Sequence, residues 1–218
     1  MPRLIDLSHP LVHGQLGFPG DPGLSVTVAG TIAEMGYNLT KLSMSTHQGT
    51  HLDVPYHFFD DGKTVDQMPL ERFFGPATLI DLAPNGVLAP KTPISVSMLL
   101  PHEDKFQPGA RVIYRTGWHR HYNTPEFFTD YPTLAVEAAH WIAEHRIVLL
   151  GMDTGTPSVD FRECHWALLD KRVEMVIVEG LANLDQLPER FTFVGFPLNI
   201  AGRDGSPIRA VAVVDEEN

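Results

Sequence analysis

Apolar residues in this chain come in short β-branched runs rather than long stripes. Runs bounded by turn residues predict strands at about 24–29, 75–82, 111–116, 147–152, 174–179, 190–196 and 207–214. Between Leu39 and Thr46, the order Leu42-Ser43-Met44-Ser45 alternates apolar and polar positions, the mark of a half-buried strand. Two stretches carry a helical period. In 133–145, Leu134, Ala138, Trp141 and Ile142 form one apolar stripe, and in 161–171 Trp166 and Leu169 share a side. Strands thus outnumber helices and do not alternate with them one to one, which disfavours a doubly wound parallel fold. The pattern predicts an α/β (α+β) chain with a mixed or antiparallel, barrel-like sheet and flanking helices. No repeat or flexible linker divides it, so a single domain over residues 1–218 is expected.

Composition narrows the partners. With 43% hydrophobic and 20% charged residues, the 218-residue chain has a globular balance and can bury one sizeable core. The net charge of −11 leaves no electrostatic footprint for nucleic acid or an anionic membrane surface. No apolar run approaches the roughly 20 residues of a membrane helix. Asp6 falls where a signal peptide would be apolar, so a soluble, cytoplasmic protein acting on a small molecule is expected. A lone cysteine, Cys164, can build neither an internal disulfide nor a thiolate metal site. It is read as a buried bystander. A Gly-x-Ser-x-Gly nucleophile elbow is absent as well, which removes that class of serine hydrolase.

The histidines carry the chemistry. Three of the eleven lie in His47-Gln-Gly-Thr-His51-Leu-Asp53-Val-Pro-Tyr-His57. Imidazole and carboxylate are the usual ligands of zinc or manganese, and these four groups could supply most of the ligands of one ion. On a straight strand His47 and His51 would stand about 13 Å apart, too far to share an ion. The chain must bend between them, and Gly49 is the residue able to bend it. A second cluster comprises Asp153, Ser158, Asp160, His165 and Glu179. Glu179 follows Val176-Ile177-Val178, so its carboxylate ends a buried strand and needs a partner, of which a metal is one. Asp153 and Asp160 also suit turns and helix caps, and His165 could be a packed histidine.

The segment from Thr46 to Phe58 resembles the His-x-Gly-Thr-His-x-Asp-x-Pro-x-His signature of the cyclase family of metal-dependent hydrolases, which includes bacterial kynurenine formamidase and isatin hydrolase. Asp6-Leu7-Ser8-His9-Pro10-Leu11, Phe18-Pro19-Gly20-Asp21, Thr116-Gly117-Trp118, Asp153 to Asp160 and Glu179 to Leu184 are similar to further blocks of that family. The resemblance implies a cyclase-like fold of the swivelling β/β/α type, assembled as homodimers or homotetramers. It also implies hydrolysis of a formamide, amide or lactam with one or two divalent ions, Zn²⁺ or Mn²⁺, per chain. Carried over by position, His47, His51 and Asp53 would hold one ion. Asp53 would bridge to a second, held by His165 and Glu179, with His57 as the acid/base. Phe18 stands where kynurenine formamidase has a substrate-contacting Trp; it keeps an aromatic face and loses the indole N–H. His165 and Glu179 are fourteen residues apart, a longer gap than in that enzyme, read as an insertion in the Lys171–Glu174 turn.

The implied chemistry is physically coherent. A divalent ion lowers the pKa of bound water from roughly 15.7 to about 7, and an amine leaving group needs a proton that an imidazole can deliver near neutral pH. Asp153 and Ser158 are read as groups that orient the ligands. Two alternatives stay open: a cyclase or dehydratase acting on a small carbonyl compound, and a non-catalytic metal- or ligand-binding protein.

Overall fold

The computed structural model describes residues 1–215. The first part of the chain forms β1 (Arg3–Asp6), β2 (Ser25–Gly30), α1 (Ile32–Met35), β3 (Leu39–Ser43) and β4 (His51–Asp53). The middle forms β5 (Phe74–Asp81), β6 (Pro93–Ile94), α2 (Val96–Leu99), β7 (Arg111–Arg115), β8 (Thr133–Leu134), α3 (Val136–Glu144) and β9 (Leu149–Met152). α4 (Phe161–Leu168), β10 (Val176–Glu179), β11 (Arg190–Val194), β12 (Gly205–Pro207) and β13 (Val211–Val214) complete it. Nine strands join in the order β1-β13-β11-β5-β7-β9-β10-β4-β12. The four central strands from β5 to β10 run parallel, and the outer strands on both sides pair antiparallel. The sheet is mixed, as the pattern predicts.

This sheet curls. β12 is one edge and β13 lies one strand in from the other, yet only Ile208–Ala210 connects them. Flat, seven spacings of about 4.8 Å would separate the two by roughly 34 Å. The link reaches about 14 Å at full extension. Hydrogen bonds from Leu7 N to Ala210 O (2.9 Å) and from Ile208 N to Thr50 O (3.0 Å), with a bridge between Ser8 and Leu181, stitch the curl.

Alternation along the strands then separates two cores. Leu79, Ile113, Leu149, Val176 and Val178 point into the curl, where they meet Leu52, Phe191 and Phe193. Their neighbours Ile80, Val112, Tyr114, Leu150 and Ile177 point outward against α3 and α4. Both faces are covered, so the central strands read as continuous apolar runs. Each fully buried aliphatic side chain contributes roughly 1.5–3 kcal/mol.

Four expectations are corrected. The helix over 133–145 begins at Val136, because Thr133–Leu134 pairs with Pro93–Ile94 as a short ribbon. Trp166 is 48% exposed and does not share a buried side with Leu169; the stripe of α4 that faces inward is Cys164, His165, Ala167 and Leu168. The strand over 207–214 is broken at Ile208–Ala210, where the chain crosses from one sheet edge to the other. Finally, β2 and β3 form a separate hairpin, and every residue of β3 is exposed rather than half-buried.

Candidate metal centre

β4 is three residues long, and its pairing aims the site. His51 lies opposite Glu179 and Pro207, Leu52 opposite Val178 and Ser206, and Asp53 opposite Ile177 and Gly205. Directly opposed residues of an antiparallel pair share a face. Leu52 and Val178 enter the inner core, so His51, Asp53 and Glu179 point out towards α4. Two chain features bring in the rest. Gly49, at φ +67°, makes the bend between His47 and His51; a Cβ there would lie 2.9 Å from Leu11 and 3.2 Å from the Tyr122 hydroxyl. Opposite Asp53, a Cβ on Gly205 would come within 2.8 Å of the His47 ring, so the glycine leaves the space that ring occupies.

The histidines are oriented from behind. His51 Nδ1 donates to Gly49 O (2.9 Å) and His165 Nδ1 to Phe161 O (2.6 Å), which leaves each Nε2 facing the carboxylates. Phe58 stacks on the His165 ring, with centroids 4.5 Å apart and planes within 10°. His51 Nε2 is 3.5 Å from Asp53 Oδ1 and 3.3 Å from Glu179 Oε2. His165 Nε2 is 3.4 Å from both Asp53 Oδ2 and Glu179 Oε1. Each carboxylate thus gives one oxygen to the His51 side and the other to the His165 side. His47 Nδ1 is 2.7 Å from Asp53 Oδ1, and its Nε2 is 2.7 Å from Asp204 Oδ2. His57 closes a single helical turn, Pro55–His57, and its ring lies 3.9 Å from that of His47.

The donor set fits a cation. His51, Asp53 and Glu179 offer ligand atoms within 4.8 Å of one another, as do His47, Asp53 and His57. Glu179 Oε1 is buried and has no hydrogen-bond partner among the described residues. An ionised carboxylate oxygen in that setting is costly without positive charge beside it. Without an ion the imidazoles take up that role. Burial pulls His47 down, but Asp53 and Asp204 outweigh it and push its pKa up to about 10. Burial likewise opposes protonation of His165, and Asp53 and Glu179 push it up to about 9. His51 is raised against its burial by Glu179 and Asp53. Asp53 is held well below the usual carboxylate range despite burial, mainly by His47 and His57.

The seven clustered side chains open into a cavity of about 410 Å³. Phe18, Phe58 and Phe161 form its apolar wall, with Phe18 edge-on to Phe161 at 6.2 Å and to Phe128 at 6.0 Å. The Phe18-Pro19-Gly20-Asp21 turn, closed by Asp21 N to Phe18 O (3.0 Å), sets that ring at the rim.

Two of the sequence-derived site residues lie elsewhere. Asp153 is fully buried and accepts from Thr116 N, Thr116 Oγ1 and Gly117 N at 2.6–2.9 Å, with His119 Nδ1 at 3.2 Å. It ties β9 to the Thr116-Gly117-Trp118 loop instead of orienting a ligand. Ser158 pairs with Thr133 Oγ1 (3.0 Å) and accepts from Asp160 N (3.2 Å), ordering the entry to α4. Asp153 follows the last residue of β9 and falls on the face opposite Met152, while Ser158 lies in the loop that leads into α4. Cys164 is buried and unbonded to sulfur, and burial pushes its thiol up to about 11, so it is no nucleophile. Sequence reasoning missed Phe58 and Phe161 in the cavity wall and, among the charged groups, Asp204. A single acidic residue in a Gly-rich stretch reads as a turn, and its one signal was the adjacent Gly205-Ser206-Pro207 run.

The class of protein follows from comparison with known sequences and structures. Residues 5–160 match the family described as putative cyclase. The chain belongs to that family. Kynurenine formamidases from Bacillus cereus and Bacillus anthracis are each 32% identical to it, over 95% and 96% of both chains respectively. Among solved structures, isatin hydrolase A from Labrenzia aggregata superposes with a TM-score of 0.87 at 25% identity, over 99% of this chain and 94% of that one. Isatin hydrolase A from Ralstonia solanacearum gives 0.84 at 26% identity, over 98% and 92%. No helix of the described residues is long and apolar enough to cross a membrane.

Proposed function

We propose that the protein is a metal-dependent hydrolase of a small amide, formamide or lactam, acting on carbon–nitrogen bonds other than peptide bonds. The observation that carries this reading is the division of the Asp53 and Glu179 oxygens between His47 and His51 on one side and His165 on the other. Those five residues would hold one or two Zn²⁺ or Mn²⁺ ions per chain. When bound, such an ion supplies nucleophilic water at neutral pH and polarises the scissile carbonyl. His57 moves protons: it stands at the cavity edge, partly exposed, and can protonate the departing amine. Phe18, Phe58 and Phe161 offer aromatic faces to a planar substrate. The similarity to kynurenine formamidases and isatin hydrolases agrees with an arylformamide or aryl lactam as substrate. The acidic chain with its single free cysteine suits the cytoplasm.

The test is a panel of N-formyl arylamines, aryl lactams and matched aryl lactones assayed with zinc- and manganese-loaded protein. Hydrolysis of formamides or lactams supports the reading. Turnover of none of them, or ring closure in place of ring opening, rejects it.

A homo-oligomer is part of the same proposal. The β2–β3 hairpin leaves the body with Val28, Ile32, Leu39 and Leu42 exposed, and a two-stranded hairpin is marginal alone in water. Its chain returns directly into Ser45, Thr46 and His47 of the cavity wall. A second copy of the chain covering the arm would bury this surface and brace the site.

A further inference from the structure

Asp204 is bound to the segment that carries His57. Its backbone carbonyl accepts from Val54 N (3.1 Å), one residue before the Pro55–His57 turn, and Arg203 O accepts from Val65 N (2.8 Å) beyond it. The Thr46 hydroxyl lies 3.4 and 3.3 Å from the two carboxylate oxygens. This frame sets Oδ2 between two imidazoles, 2.7 Å from His47 Nε2 and 3.7 Å from His57 Nδ1. The carboxylate is 30% exposed, so a charge here costs little to maintain.

The other histidines show what such a placement does. His51 and His165 each give their Nδ1 proton to a backbone carbonyl, Gly49 O and Phe161 O, and present Nε2 to the site. On His57 the carboxylate oxygen on the Nδ1 side is Asp204 Oδ2, at ion-pair distance, where a small turn of the ring would bring the two into hydrogen-bond reach. A neutral imidazole carries one proton, and an acceptor beside one nitrogen holds it there.

We propose that Asp204 is a positioning residue for proton transfer: its carboxylate holds the His57 proton on Nδ1, so that Nε2 is the atom that exchanges protons with the substrate. The role rests on the hydrolase reading above for its effect on turnover, and on geometry alone for its effect on the ring. The competing role is service to His47, where the same oxygen would only strengthen ion binding. A cycle of Asp204→Asn, His57→Ala and the double variant separates the two, all assayed at saturating zinc with metal content measured.

If Asp204 acts through His57, Asp204→Asn lowers kcat by about 10–100-fold with KM little changed, and Asp204→Glu recovers part of the loss. In the His57→Ala background the same change costs less than about twofold. An equal loss in both backgrounds, or failure of Asp204→Asn to load zinc, overturns the proposal in favour of His47. A second measurement needs no turnover: nitrogen-15 histidine NMR of the zinc-loaded protein. Wild type is expected to carry the His57 proton on Nδ1, and Asp204→Asn to move population to Nε2. A wild-type ring protonated at Nε2, or an unchanged tautomer in the variant, contradicts the proposal. If no substrate of the panel is hydrolysed, the hydrolase reading fails while the NMR result still decides the role of Asp204.

Discussion

At the scale of single residues, the site sets three carboxylates, Asp53, Glu179 and Asp204, among four imidazoles. His51→Ala removes an imidazole that faces both Asp53 and Glu179, so the purified variant should lose most of its metal by elemental analysis. Full occupancy would remove His51 from the ligand set. His57→Ala should keep its metal and lose on the order of 10²–10⁴ in turnover, the worth of a positioned acid–base. The raised histidines also fix a pH dependence in the metal-free protein. His47 rises from 6.5 to about 10 on folding, so its protonated contacts contribute stability fully below pH 6.5. That contribution is lost as pH climbs through 10. Chelator-treated protein should therefore show a falling urea midpoint between neutral pH and about 10. Ion binding has the opposite sign, since each ligand must first give up its proton: apparent affinity should rise over the same range. A metal affinity independent of pH would contradict the assignment of His47 and His165.

At the scale of elements, two glycines decide whether the ligands can meet. Gly205→Ala would set a Cβ 2.6 Å from Leu52 O and 2.8 Å from the His47 ring, against a backbone atom that cannot yield. The variant should melt lower and bind metal more weakly than wild type, by calorimetry. Retention of both would mean that the ring has another seat. The need for a bend at Gly49 was legible in the sequence, because a straight strand would separate His47 from His51 too far. The central strands were legible too, since burial on both faces leaves unbroken β-branched runs. β4 and β12 were not. Each is three residues long, too short for an alternation to stand out, and Gly205-Ser206-Pro207 has no β-branched or aromatic residue to mark it as a strand. Asp204 stayed hidden for a related reason: it reaches His47 across 157 residues of chain, a pairing set by sheet closure and not by local spacing.

At the scale of the whole molecule, the curl of the sheet assembles the centre. It draws β12 onto β4, β4 onto β10 and α4 over both, so that five segments, those carrying Phe18, His47 to His57, His165, Glu179 and Asp204, converge on one cavity. The exposed hairpin is the part of the chain that this closure does not cover. Val28→Glu with Leu42→Glu should convert an oligomer to a monomer by light scattering; a wild-type protein already monomeric would remove the arm from any interface. The central claim is that these five segments build an ion-dependent hydrolytic site. Its most direct measurement is the rate of N-formyl arylamine hydrolysis by chelator-treated protein as zinc or manganese is returned in known molar ratio. The account predicts no turnover without the ion and activity that rises to a plateau at one to two ions per chain. Equal rates before and after chelation, or no hydrolysis at any ratio, would contradict it.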